Sequence, residues 1–502
     1  MLFCLTTIIV LACKTKSSEP STKQEGPNVG GLGMPRGLVA ASPNHTDGYI
    51  FFNTLLSDTT YLVNKAGQVV HTWDSDYGPA GCTYLKDNGN LIRGGRDPQN
   101  TVFDGGGQGG IIQELSWDGD ILWEYKFSDD LHMAHHDVAI MPNGNILSIS
   151  WESKTVKEAV IAGRNPEQIP EAGLWPDMVV EIEPKGKNEG TIVWEWHLWD
   201  HLVQNHDSQK ANFGQPVDHP ELLNINLGDP IPESTSIEDL NKKRSRNNAN
   251  TNDTPENQGS DLYHINAINY NPTLDQIVLS SPNLNEIFII DHSTTTAEAA
   301  THMGGLSGKG GDILYRWGNP QNYNRGEPSD QILGGQHDVR WVTNDNAQLR
   351  NLMVFNNFIP LDKGGYSAVI EITPTLTDTG YAIEEQAAFG PTKPSWQYMS
   401  SDTSSFFAPF ISGAQRLQNG NTFITVGPKG RYFEVNDSGK VLWDYWTPYS
   451  GSFRMSDGTF PQPVGPFVYA TFRATHVSID HPAIRGKNLT PLYPQPKFLN
   501  EE

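Results

Sequence analysis

Cysteine is nearly absent. The chain has 3 in 502 residues, and two of them, Cys4 and Cys13, fall within the first thirteen. Only Cys82 lies beyond that leader, so no intramolecular disulfide framework supports the fold. Positive charge is scarce too: Lys and Arg number 35 against 58 Asp and Glu, a formal net charge of −23. No local basic patch relieves it, and such a surface repels phosphate backbones, so nucleic acid is not an expected partner. An anionic small molecule still fits wherever a few cationic groups converge. Long apolar runs are also missing. "LFCLTTIIVLAC" near the start is too short to span a bilayer. It ends in Val10-Leu11-Ala12-Cys13, which resembles a bacterial lipobox. Residues 1–13 therefore read as a lipoprotein-type signal peptide, with Cys13 carrying the lipid. Residues 14–40, opening with "KTKSSEPSTKQEG", read as a flexible tether. The expected location is extracytoplasmic, in the periplasm or on the outer membrane, touching the bilayer only through that lipid.

Turn residues and aromatics, by contrast, are plentiful: 48 Gly and 34 Pro punctuate short runs that hold most of 13 Trp, 17 Tyr and 20 Phe. That pattern points to an all-β fold. One phrase recurs around an Asn-Gly turn: "LKDNGNLI" at 85, "MPNGNILSI" at 141 and "LQNGNTFIT" at 417. Asn-Gly between alternating apolar runs is the strongest short hairpin signal, and a two-residue turn of that kind needs φ > 0 at both residues. A second phrase ends in aromatics: "GQVVHTW", "GDILWEY", "GTIVWEW", "GDILYRW" and "GKVLWDY". Between the two lies an apolar strand such as "IIQELS" or "YFEVN".

Each unit is thus four strands, A to D, with complete units beginning near residues 81, 135, 263, 336 and 412. A sixth is split: "THVSID" supplies strand A, and "YIFFN", "TYLVN" and "QVVHTW" supply the rest. Joining both chain ends in one sheet is how a β-propeller closes. The expectation is a six-bladed β-propeller over residues 41–490, with a long inter-blade insertion at about 199–261. The aromatics of strand D are expected to pack between blades.

Aligning the units on the residue that opens the A–B turn brings histidines into register. Asn143, Asn271 and Asn344 open three of these turns, and seven residues earlier stand His136, His264 and His337. The split unit has His476 near the start of its strand A. Strand A is innermost, so its opening residues ring one mouth of the central channel, and polar ends of strand B (Asn283, Asn356, Asn357) return to the same face. Imidazoles facing one axis suit either a metal or nucleophilic chemistry with charge stabilisation. At this level a histidine-ligated metal oxidoreductase and a non-catalytic propeller that binds a ligand or partner both stay open.

The phrases "HHDVAIMPNGNIL", "YHINAINYNP", "IVLSSPNLNEIFIID", "GDILYRWGNPQNY", "GQHDVRWV" and "ISGAQRLQNGNTFITVG" together resemble the bacterial aryl-sulfate sulfotransferases, over roughly residues 80 to 446. The resemblance implies a six-bladed propeller that moves a sulfuryl group from an aryl sulfate donor to a phenolic acceptor. It implies ping-pong kinetics through a histidine-bound sulfate, without a nucleotide sulfate donor, a cofactor or a metal. By motif, His337 matches the nucleophile, and His136 and His264 match histidines that stabilise the transferring group. Some relatives dimerise, so a homodimer is among the expectations; the disulfide of some relatives is excluded here. The family pattern carries arginine eighteen residues beyond the histidine matching His264, where this chain has Pro282. Arg93, Arg96, Arg416 and Arg473 are candidate replacements, Arg473 foremost. His476, Asn356 and Arg473 are the expected substrate-binding residues.

Overall fold

The computed structural model describes residues 33–228, 259–343, 350–359, 366–450 and 467–496. The signal peptide, Cys13, most of the tether and Asn344 lie outside these. Six sheets of four strands each, one extended by a fifth, are arranged as a six-bladed β-propeller. Blade 1 is the split one: Ala474–Val477 pairs antiparallel with Tyr49–Asn53, followed by Thr60–Asn64 and Val69–Trp73. Blade 2 runs Pro79–Leu85, Leu91–Arg96, Gly110–Leu115 and Ile121–Lys126. Blade 3 runs His132–Ile140, Ile146–Glu152, Asp177–Lys185 and Glu189–His197. Blade 4 runs Ala267–Asn271, Gln276–Ser281, Glu286–Asp291 and Tyr315–Trp317. Blade 5 runs His337–Trp341, Leu352–Asn356, Ala368–Ile372 and Trp396–Tyr398. Blade 6 runs Gly413–Arg416, Thr422–Val426, Arg431–Val435 and Val441–Trp446.

Two details differ from the sequence expectation. The tether ends sooner than residue 40, because Gly37–Ala41 pairs antiparallel with Val441–Trp446 as a fifth strand of blade 6. That covers an outer edge whose N–H and C=O groups would otherwise stay open. The Asn-Gly hairpins are not two-residue turns. Gly89, Gly144 and Gly420 have φ of +88, +92 and +88°, while Asn88, Asn143 and Asn419 do not enter the left-handed region. Gly89 N–H donates to Lys86 C=O at 2.8 Å and Lys86 N–H to Asn90 C=O at 2.8 Å. This is a three-residue loop with glycine at its left-handed position. Asparagine serves it through its side chain: Asn88, Asn143 and Asn419 each accept from the N–H two residues on, at 2.9, 3.0 and 3.1 Å. The described part of the insertion after blade 3 reaches into the core. Leu202, Leu223 and Ile225 are buried in the core shared by blades 3 and 4.

The strand-D aromatics do join the blades, and they do so through one device. The indole N–H of Trp73 donates to Ser116 C=O in blade 2, and that of Trp123 to Glu189 C=O in blade 3. Trp194 reaches Thr294 Oγ1 in blade 4, Trp317 reaches Pro391 C=O in blade 5, and Trp396 reaches Asp437 C=O in blade 6. Trp443 closes the ring on Lys65 C=O of blade 1 at 2.9 Å, with the Lys65 ammonium 4.2 Å above its ring. Trp443→Phe removes that donor and leaves a buried carbonyl unpaired. It should lower unfolding free energy by about 1–3 kcal/mol, read as a lower urea midpoint; an unchanged midpoint would mean the ring is closed by strand pairing alone.

Candidate active site

Each strand A enters its sheet through a kink at the channel mouth. Gly81, His136, His264 and Ser412 occupy equivalent positions with φ of +123, +52, +51 and +90°. Non-glycine residues pay strain there, and such strain gathers at functional sites. In blade 5 the kink falls one residue later, at Asp338 with φ +57°, so His337 precedes it. The A–B ladder is interrupted at these points, between Ser148 and Ser150 in blade 3 and between His337 and Arg340 in blade 5.

The structure brings His136, His264 and His337 together. The rings of His136 and His264 meet edge to face, 4.5 Å between centroids. His337 and His136 flank the same Phe472 ring, at 6.3 and 6.1 Å. Each histidine is held by a different support. His264 Nδ1 donates to the carboxylate of Asp261, whose other oxygen accepts from Trp151 Nε1 at 3.1 Å. His136 Nδ1 lies 2.8 Å from His135 Nδ1; the His135 ring stacks on Trp151 and has Asp177 3.1 Å from its Nε2. His337 Nδ1 faces two acceptors, Gly335 C=O at 3.0 Å and Asn357 Oδ1 at 2.9 Å. Asn357 spends its amide hydrogens on the Ala408 and Ile411 carbonyls, at 2.8 and 2.9 Å, which fixes Oδ1 toward the imidazole. On the far side of that ring, Ile411 N–H donates to Nε2 at 3.2 Å. His337 is therefore the Nδ1–H tautomer, with its lone pair on Nε2. Ile411 has φ +48°, an outlier for a β-branched residue.

Arg473 also reaches the cluster, and its positive charge helps depress the basicity of His136 and His337. Its guanidinium bridges two buried carboxylates, Asp137 at 2.7 Å and Asp338 at 3.3 Å, and donates to Tyr84 Oη at 2.8 Å. Two of the other expected arginines are committed elsewhere. Arg93 is buried on Ser75, Gln113 and the Tyr77 carbonyl within blade 2. Arg416 pairs with Glu371 at 2.6 Å beside Trp396. Arg96 donates to the Pro79 carbonyl at 3.0 Å.

Two expected substrate contacts are placed elsewhere. His476 is interior to its strand, opposite Ile50, where its ring packs near Phe423 and feels Lys65 and Glu434. In the split blade the mouth position falls to Arg473, three residues earlier. Asn356 is fully buried and both ends of its amide serve the loop before strand A, accepting from Gly334 N–H and donating to Ile332 C=O. Asn357 takes the place expected of it. Asn283 donates to the Asp261 carbonyl at 2.9 Å, steadying the segment that carries Asp261 and His264.

Burial is the first cause of every histidine shift here. It pulls His135 down to about 3, His337 and His476 to about 4, and His136 well below the ordinary 6.5. These imidazoles are neutral at pH 7. A histidine kept neutral in the fold but free to charge when unfolded gives stability that is whole above pH 6.5 and lost as pH falls toward the folded value. For His476 the window is pH 6.5 to about 4. Chemical unfolding of His476→Gln should therefore gain on the parent by up to about 3 kcal/mol across that window. A difference that does not change with pH would show that His476 takes its proton as readily in the fold as in the unfolded chain.

A cavity of about 20 Å³ sits behind His135 and His136 against Ala80 and Gly94 of blade 2. It has room for about one water and none for an aromatic ring.

The arylsulfotransferase (ASST) family model matches residues 39–442. A search of curated proteins found no match. Among solved structures, similarity extends to a protein of unknown function from Bacteroides caccae, 11% identical over 80% of this chain and 94% of that one, with TM-score 0.39. A putative 6-phosphogluconolactonase from Bacteroides fragilis is 12% identical over 87% and 99%, with TM-score 0.36. A virginiamycin B lyase from Staphylococcus aureus is 10% identical over 83% and 84%, with TM-score 0.35. The family match spans most of the chain and takes in all three mouth histidines: this protein belongs to the arylsulfotransferase family.

Proposed function

We propose that the protein moves a sulfuryl group from a phenolic sulfate ester to a phenolic acceptor in two displacements, with Nε2 of His337 as carrier. The observation that carries this reading is the His337 tautomer. Its Nδ1–H is committed to Gly335 and Asn357, and its unprotonated Nε2 points the other way. Burial keeps that lone pair free of a proton at pH 7, since the ring titrates at about 4. In the first displacement Nε2 attacks sulfur, the N–S bond forms, and the S–O bond to the arene breaks to release a phenolate. In the second, the acceptor oxygen attacks the same sulfur, the N–S bond breaks, and the acceptor's proton is given up to solvent or a neighbouring base. No nucleotide sulfate and no cofactor enters the cycle.

Negative charge on the sulfuryl oxygens is met by His136 and His264; Ile411 N–H, which donates to Nε2 in the resting site, gives up that bond when Nε2 attacks and is then beside the sulfuryl oxygens. Arg473 adds positive potential, but two carboxylates share it. With Pro282 in place of the family arginine, the site holds the sulfuryl group with less net cationic charge than the family pattern implies. Slower transfer from simple aryl sulfates, or a preference for other donors, follows. Export, lipidation at Cys13 and self-association into a homodimer belong to the same proposal, the first two supported by the lipobox-like sequence.

The test is intact-mass spectrometry after mixing with p-nitrophenyl sulfate alone. A gain of one SO3 unit is expected, discharged when a phenol is added. Neither adduct nor phenol sulfation across several donors would favour a binding propeller, and stoichiometric iron or copper would favour the oxidoreductase.

A further inference from the structure

Two irregular segments meet on the outside of the propeller, away from the mouth. One is the insertion that follows strand D of blade 3, which carries His201. The other is the lengthened C–D hairpin of blade 4, residues 292–314, which carries His302 and Asp312. A ring nitrogen of His201, a ring nitrogen of His302 and a carboxylate oxygen of Asp312 all lie within 4.8 Å of one another, and in both histidines it is Nδ1 that faces Asp312. Asp312 Oδ1 is 2.9 Å from the first nitrogen and 2.7 Å from the second.

His201 shows why this is more than a polar contact. Its Nε2 lies 2.8 Å from the Ala299 carbonyl. A carbonyl oxygen only accepts, so Nε2 must carry the hydrogen. A neutral imidazole has a single N–H, which leaves the Nδ1 lone pair facing the lone pairs of a carboxylate. Something positive has to lie between them, either a further proton or a cation. The ring is also built in: it is fully buried, stacks on Trp196 at 5.8 Å, and sits so close to Gly311 that a Cβ there would meet Nε2 at 2.5 Å. An imidazole anchored through its outer N–H by a backbone carbonyl, with its other nitrogen turned to a carboxylate and a second imidazole, is the arrangement that orients metal-ligating histidines.

We propose that His201 Nδ1, His302 Nδ1 and Asp312 bind a divalent transition metal of the zinc type, with solvent completing the coordination on the exposed His302 side. Two imidazoles and one carboxylate suit a borderline cation, whereas magnesium and calcium favour all-oxygen sites. Tetrahedral bonds of about 2.0–2.1 Å put ligand atoms about 3.3 Å apart, so Asp312 must draw back by about half an ångström, and the exposed His302 can swing to bring its nitrogen to the same spacing from His201. The ion clips the long hairpin of blade 4 onto the insertion of blade 3. It has no part in sulfuryl transfer.

The experiment is zinc titration of the EDTA-stripped protein in competition with a chromophoric chelator. One equivalent is expected to bind, with affinity falling about 100-fold or more in His302→Ala and in Asp312→Asn. His302 is exposed, so its replacement leaves the fold intact. His136→Ala should keep full uptake, which places the ion away from the channel. Saturating zinc should raise the melting midpoint of the parent and not of His302→Ala. Three outcomes overturn the proposal. They are no uptake by the parent (a shared proton then fills the place), uptake unchanged in both ligand variants, or uptake lost in His136→Ala and kept in His302→Ala.

Discussion

His337→Asn is expected to lose the sulfuryl adduct and to lower turnover about 10⁴-fold or more, the scale on which removal of a covalent nucleophile acts. Asparagine is the informative replacement. Its amide nitrogen reaches about as far as Nδ1 and can keep the contacts to Gly335 C=O and Asn357 Oδ1. What it lacks is any atom in the place of Nε2, so the test separates nucleophilicity from packing. His136→Asn should behave differently: the adduct still forms, more slowly, because that residue meets charge and does not bond to sulfur. An adduct of undiminished yield in His337→Asn would mean that another histidine is the carrier. The first to examine would then be His264, the least buried of the three, with 16% of its side chain accessible.

How far the sequence carries this result depends on the distance over which each feature is determined. Blades were legible because their signals are local: alternation, an Asn-Gly turn, and a Gly-led strand that ends in aromatics. Blade 5 shows the limit. Its strand D, Trp396–Tyr398, follows a long excursion through Leu376–Tyr381 and carries no Gly-led phrase, so nothing local marks it. The register of His136, His264 and His337 was legible because each stands a fixed distance from a turn asparagine. His476 was misplaced for want of that marker: the split blade has no A–B turn, and the mouth position is Arg473. Asn356 and Asn357 differ by strand parity alone. The last residue of the strand turns into the blade and the next turns to the channel, and one residue of slip exchanges the two. Asp261 was out of reach altogether. It lies at the last residue assigned to the insertion, and its value as a partner comes from Trp151, 110 positions away in the chain.

Asp261→Asn carries the second large effect. The Asp261 carboxylate holds His264 by Nδ1–H, which turns Nε2 toward the site and makes a positive charge on that ring less costly. An amide keeps an accepting oxygen but loses the charge, and it can also flip to present N–H to Nδ1 and select the wrong tautomer. Loss of an orienting carboxylate of this kind costs about 10²–10⁴-fold in kcat/KM. A purely structural role would depress all donors alike. The proposed role does not: a more basic phenol is a poorer leaving group, and its displacement leans harder on the groups that hold the sulfuryl oxygens, so the loss should widen from p-nitrophenyl sulfate to phenyl sulfate. The steeper dependence on leaving-group basicity is the signature to measure, alongside adduct formation by p-nitrophenyl sulfate, which should survive. An equal loss with both donors would reduce Asp261 to a packing residue and leave His136 as the charge stabiliser. The pH profile supplies the independent check. Because His337 titrates at about 4, adduct formation should hold its level down to about pH 5 in the parent and in Asp261→Asn alike, and an acid limb that moves with the substitution would mean that Asp261 acts on His337 instead.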